Sequence, residues 1–301
     1  MGFGEAMRAA GIEPPPDLVA DGALHRFPTS EKRGDLAGFY ILHGDGIPAG
    51  YFGCWRRGVA ETWRADLGRE LSGEEEAECR RRVAEARQLR EEAERLRHAD
   101  GATRALALWE RARPASIRHP YLVRKAILAY GARELDGSLV IPLRDVAGTL
   151  RSLQSIAPDG SKLFLPGGRV RGAFYTVGRV DRCLYVAEGF ATAVTIHEAT
   201  GDGVAVAFCA SNLEPVAVAL RARHLGAVLV VCADDDTAAP VNVGLLDACK
   251  AARAACGLVA EPGFGMARAV WARGATDFND LARLYGIDRV LSALAQAVPA
   301  W

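Results

Sequence analysis

Four carboxylates stand where two apolar runs break off: Glu188 after CLYVA, and Asp234, Asp235 and Asp236 after AVLVVCA. Runs of this kind read as buried strands, and in an open α/β sheet ligands gather outside the carboxyl ends of the strands. Carboxylates placed there without a matched set of Cys and His partners suit a hard, oxygen-seeking cation such as Mg2+, and so point to phosphate chemistry. Gly189 lets the chain turn tightly into the next segment. Glu188 then has two roles open to it: metal ligand or nearby base, or an acid favoured by a helix N-terminus. Asp234 and Asp236, two apart, can share a cation while Asp235 faces elsewhere. Without a cation the three would repel and raise each other's pKa, which a surface loop tolerates better than the abrupt end of a buried strand. A third acidic group, Asp277-Phe278-Asn279-Asp280, follows another short apolar stretch. There Asp277 or Asn279 can cap the helix DLARLYG, and a cap is compatible with a place beside the metal.

The elements that must position these acids form a regular series. From residue 183 the pattern runs strand CLYVA, helix 190–200, strand 204–208, helix 214–224, strand 227–232 and helix 242–256. Alternation at this spacing predicts a parallel sheet covered by helices. A further strand at 267–272 and two short helices after Asp277 complete it. Upstream, residues 114–180 are basic and Gly-rich, with strands expected at 138–143, 149–156 and 163–165. Residues 71–113 alternate Arg, Glu and Ala, which predicts a helix of some 25 residues after Ser72 and a second one after Gly101. That segment reads as a solvated strut. Residues 1–70 open with a helix at 3–11 and continue as short aromatic runs broken by Gly, the pattern of a small antiparallel β unit.

The acidic segments also carry a resemblance. VAEGFATA, the ADDD turn and ATDFNDL resemble, in that order, the three motifs of the Toprim domain of bacterial-type primases, topoisomerases and some nucleases. HPYLVRKAI, IPLRDVAGTLRSLQSI and DGSKLFLPGG resemble the primase core ahead of Toprim, and DGALHRF with GFYILHGDGIPAGYFGCW resembles the amino-terminal region of primases of phages and conjugative plasmids, the TraC-like group. The likeness spans most of residues 20–285. It implies a Toprim-type parallel sheet flanked by helices (181–285), preceded by a small mixed β core (114–180), a helical strut (71–113) and a small amino-terminal β unit (1–70), with a carboxy-terminal helix at 286–301. Glu188 matches the Toprim glutamate, Asp234 and Asp236 its DxD pair, and Asp277 its later acidic motif. The same resemblance implies Mg2+ or Mn2+ on Glu188, Asp234, Asp236 and Asp277. Arg144, Lys162 and Arg169, and more weakly Arg118, Tyr121 and Arg124, would contact template or triphosphate. Thr192 stands where an Asp is common, which implies a weaker second metal position, and Asn279 stands where primases often carry a second Asp.

The function so implied is synthesis of short RNA primers on single-stranded DNA from nucleoside triphosphates, with a separate replicative helicase as a further partner. The alternatives are a Toprim metal-dependent nuclease and a non-catalytic single-strand-binding replication accessory. The 37 basic and 37 acidic residues cancel, which argues against a nonspecific polyanion binder while leaving local basic patches open. Seven scattered cysteines without a CxxC pair read as reduced thiols, and four ligands at zinc-ribbon spacing cannot be assembled near His25, His43, Cys54 and Cys79, so zinc is not expected. With no leader-like opening, no long uncharged apolar stretch and no Walker A pattern, the sequence predicts a cytoplasmic protein that meets no membrane and carries no helicase of its own.

Overall fold

A computed structural model of the chain describes residues 2–30, 34–66, 72–235, 242–264 and 274–300. The chain divides into two units, Met1–Ala86 and Arg87–Trp301. The first contains α1 (Phe3–Ala9) and a four-stranded antiparallel meander, β1 (His25–Phe27), β2 (Gly38–His43), β3 (Ala49–Cys54) and β4 (Val59–Arg64). Its strands alternate. Phe27, Tyr40, Leu42, Phe52 and Cys54 point to one face and pack with Phe3 and Met7 of α1 into a separate core.

A long helix, α2 (Gly73–Arg111), contributes to both units. Ser72 and Glu75 cap it reciprocally, the Glu75 N–H donating to Ser72 Oγ (3.2 Å) and the Ser72 N–H to Glu75 Oε2 (2.9 Å). Pairs four apart, Arg80–Glu76, Arg87–Glu91 and Arg104–Asp100, line its surface and add a few tenths of a kcal/mol each, about 0.2–0.5. The expected break at Gly101 does not occur: the helix runs straight through it. Gly101 is there for close approach. A Cβ on it would lie 2.5 Å from the Gly167 carbonyl oxygen and 2.7 Å from the Gly168 nitrogen, backbone atoms that cannot yield like a side-chain tip. Gly101→Ala is therefore expected to destabilise the protein by about 2 kcal/mol, although Ala is the better helix former. Urea unfolding of the variant checks this, and a midpoint equal to or above wild type would mean the contact is loose.

The second unit holds two sheets. The antiparallel one runs in the order β5 (Arg113–Pro114), β6 (Arg133–Leu135), β7 (Ser138–Arg144), β8 (Leu150–Ile156) and β9 (Lys162–Phe164), with α3 (Pro120–Lys125) between β5 and β6. Its strands β7 to β9 fall within a residue or so of expectation. Val140, Leu150 and Leu153 pack with Ala105 of α2, whereas Leu139, Ile141 and Ile156 pack on the other side.

After it come β10 (Tyr175–Val177), β11 (Cys183–Ala187), α4 (Phe190–Thr200), β12 (Gly203–Val206), α5 (Leu213–Arg223), β13 (Val228–Cys232), α6 (Val243–Ala254), β14 (Leu258–Ala260), α7 (Phe278–Tyr285), α8 (Ile287–Leu294) and β15 (Val298–Pro299). The sheet order is β10-β12-β11-β13-β14-β15, with β12, β11, β13 and β14 parallel and the two edge strands antiparallel. The parallel core is the expected one, and the antiparallel edges are an addition. Tyr185, Ala187, Val230 and Cys232 face α4, α7 and α8, while Leu184, Val186, Leu229 and Val231 face α5 and α6. A strand buried on both faces must be apolar throughout, which is why these strands read so clearly. The expected strand at 267–272 lies outside the described residues. Among the described residues no helix is long and apolar enough to cross a membrane.

Candidate active site

The acids come together at the carboxyl edge of the parallel sheet. β11 and β13 are neighbours in register, with Ala187 opposite Cys232, so Glu188 and Asp234 leave adjacent strands about 4.8 Å apart, within one residue of the same level. Each is half-buried, and Oδ1 of Asp234 is sealed from solvent. The carbonyl of Glu188 accepts the Phe208 N–H (2.8 Å), which extends the sheet one step and fixes the turn. Gly189 caps α4, and Thr192 in its first turn is buried at 1% exposure. Across the turn sits Lys162 of β9, its Nζ 3.7 Å from where a Cβ on Gly189 would be. One basic candidate is thus held over the glutamate turn by a different sheet.

Asp235, expected to face away from the shared cation, has partners of its own. It is buried at 8% exposure. Its N–H donates to the Thr276 carbonyl (2.7 Å), and its Oδ1 accepts from Asn242 Nδ2 (3.0 Å). Asn242 in turn caps α6 by accepting the Leu245 N–H (3.2 Å). Gly244 completes this seat, since a Cβ there would lie 2.6 Å from the Asp234 carbonyl oxygen. Asp235 therefore ties the DDD segment to the loop that leads into the third acidic group. Asp236, the other half of the DxD pair, lies outside the described residues.

In the third group Asp277 is the N-cap of α7, accepting the Asp280 N–H at 2.7 Å. Lys125 lies 3.8 Å from Asp277 and 3.3 Å from Asp280. Asn279 is buried at 1% exposure, with Nδ2 donating to the Lys125 carbonyl (2.8 Å) and Thr195 Oγ1 (2.9 Å). It joins α7 to α4 and to the end of α3, with its Oδ1 sealed from solvent.

The remaining basic candidates scatter over the antiparallel sheet. Arg118 is exposed. Arg124 donates to the Pro158 carbonyl (2.7 Å) and lies 5.8 Å from the Tyr121 ring centre. Arg144 donates to Gly148 O (3.0 Å), and Arg169 with Arg151 reaches Asp145. Tyr121 is a correction: at 2% exposure it belongs to the core, so template has no access to it. Burial first, and the Asp277 charge second, push its hydroxyl well above the ordinary tyrosine range.

Sequence reasoning missed two residues here, Asn242 and Glu261. Glu261 follows β14 directly, on the neighbour of β13. Partial desolvation and then the charge of Asp235 raise its carboxyl pKa. The signal was present, because GLVAE ends an apolar run just as CLYVAE does.

The donors fit a hard divalent cation in kind, being carboxylate oxygens at one sheet edge. Among the described residues, however, no three acidic, His or Cys side chains close on one point.

Residues 183–288 match the Toprim domain family. Two proteins named DNA primase TraC, both from Escherichia coli, are similar to the chain. One is 33% identical over 278 residues, 87% of this chain and 26% of the relative. The other is 34% identical over 250 residues, 78% of this chain and 17% of the relative. The chain thus spans about a quarter or less of their lengths. Among solved structures, the DnaG primase catalytic domain bound to ssDNA aligns with a TM-score of 0.47 at 12% identity, over 69% of this chain and 81% of that one. The primase fragment of the bacteriophage T7 primase-helicase aligns at 0.42 and 14%, over 90% and 99%. Residues 183–288 are a Toprim domain, in a chain similar to TraC-type DNA primases over most of its length.

Proposed function

We propose that this chain is the catalytic part of a DNA primase, joining ribonucleotides into short primers on a single-stranded DNA template. The observation that supports it most is the meeting of Glu188 and Asp234 on adjacent strand ends with Lys162 facing the same turn. Mg2+ or Mn2+, when held by Glu188, Asp234 and Asp236, supplies charge neutralisation for the triphosphate and for the attacking hydroxyl. Asp277, which caps α7, is the fourth acid of the set. Lys162 binds the phosphates of the incoming nucleotide. Arg118, Arg124, Arg144 and Arg169 hold template phosphates, each guanidinium having more donors than its contacts here use. Such binding weakens as salt rises. A nuclease needs no second basic sheet beside its acids, and Lys162 on β9 favours synthesis over hydrolysis. A cytoplasmic setting, with a separate helicase exposing the template, belongs to the same proposal.

Incubation with single-stranded DNA, labelled ribonucleotides and Mg2+ tests the proposal: short labelled products are expected, and template degradation without products would replace it with the nuclease reading. Lys162→Ala should raise KM for the triphosphate roughly tenfold and change kcat less. Steady-state kinetics check this, and an unchanged KM would remove Lys162 from the nucleotide site.

A further inference from the structure

The amino-terminal sheet has a second face that its core does not use. Phe39, Tyr51 and the residue just past β3, Trp55, form an aromatic group on it. Phe39 lies 5.5 Å from Tyr51 and 4.9 Å from Trp55 between ring centres. Phe39 is the floor, buried at 4% exposure, while Tyr51 is 41% and Trp55 66% exposed. Gly53 makes the floor possible: a Cβ there would lie 2.6 Å from Phe39 Cζ. Cross-strand register puts Arg26 beside Phe39, Thr62 beside Tyr51, and Arg64 beside Ala49 on this same face. The Arg26 guanidinium lies 6.0 Å from the Trp55 ring centre.

Charge decides what such a face can take. The four strands contain one carboxylate, Glu61, and it sits opposite Phe52, on the core side of the sheet. Open π-faces flanked by guanidinium groups, with no strand carboxylate among them, match unpaired bases linked by phosphates. Bases stack on exposed aromatic rings in a sequence-tolerant way, and arginines track the backbone. A protein partner would gain from the same rings but would bring acids or apolar bulk of its own. A duplex hides its base faces and cannot stack here.

We propose that this face is a binding site for single-stranded nucleic acid, stacking bases on Trp55 and Tyr51 and holding phosphates with Arg26 and Arg64. The site lies within the first unit and needs none of the Toprim carboxylates. Its failure is therefore separable from failure of the primase reading.

The test is fluorescence anisotropy of a labelled oligo-dT with the full chain in EDTA, so that metal-dependent chemistry is silent. Trp55→Ala and Tyr51→Ala should each weaken binding about tenfold or more. Trp55→Phe should keep most of it. Arg26→Ala should lower the slope of log affinity against log salt by roughly 0.7. Wild-type affinity in folded Trp55→Ala and Tyr51→Ala variants would overturn the site, as would a Phe variant no better than the Ala one. A change of oligomeric state in Trp55→Ala would overturn it in favour of a second copy covering the face. If Trp55→Ala fails to fold, photocrosslinking of a 5-iodouracil oligonucleotide to the wild-type chain decides: crosslinks at Trp55 or Tyr51 support the site, and crosslinks confined to residues 87–301 overturn it.

Discussion

Glu188→Gln and Asp234→Asn are each expected to reduce primer synthesis by at least about a hundredfold, with stability held within about 0.5 kcal/mol of wild type. Both changes keep the shape of the side chain and remove only its charge. Glu188 and Asp234 leave neighbouring parallel strands whose ends are fixed by ladder hydrogen bonds, so the amides occupy the same places. What they lose is the negative charge that would hold a divalent cation against a triphosphate. Single-turnover synthesis and thermal unfolding, measured on the same preparations, separate the two effects. Variants that retain full synthesis would mean that the catalytic acids lie elsewhere on the chain. A loss of activity together with a large fall in stability would make these acids structural.

The second large effect concerns Asn279, which stands where the family resemblance implied an acid. Asn279→Asp is expected to cost about 3 kcal/mol at neutral pH. The native amide donates to the Lys125 carbonyl and to Thr195 from a nearly sealed position. A carboxylate there can donate to neither. It would face a carbonyl oxygen and sit beside Asp277 and Asp280 in sequence. Burial would push the introduced carboxyl's pKa up, so its folded-state value would exceed the unfolded one. The penalty is then largest above that raised pKa and shrinks as pH falls and the acid protonates, regaining a donor. Urea unfolding at pH 8 and pH 5 should show the gap to wild type narrowing at the lower pH. A stable variant with tighter Mn2+ binding would instead place position 279 beside the metal.

These three residues show what was legible in the sequence and what was not. The alternation after residue 183 could be read because its strands are buried on both faces and so appear as unbroken apolar runs. Helices α4 and α5 fall within a residue of expectation for the same reason. Gly101 was misread because glycine marks either a break or a close approach, and only the position of Gly167 and Gly168 distinguishes them. Asp235 and Asn279 depend on partners far along the chain, Thr276 for one and Lys125 for the other. Local spacing carries no record of such partners. The family resemblance implied a template contact at Tyr121, yet its ring is buried in the core beneath a short helix. The apposition of Lys162 to Gly189 joins two sheets, and no pattern within either segment could have announced it.

The most direct measurement is nucleotide-dependent synthesis on homopolymer templates, with each labelled ribonucleotide supplied alone with Mg2+. The account predicts oligomers of A on poly(dT) and of G on poly(dC), and none from mismatched pairs, in the wild-type chain. Products that form regardless of template, or cleavage of the template with no product, would contradict it.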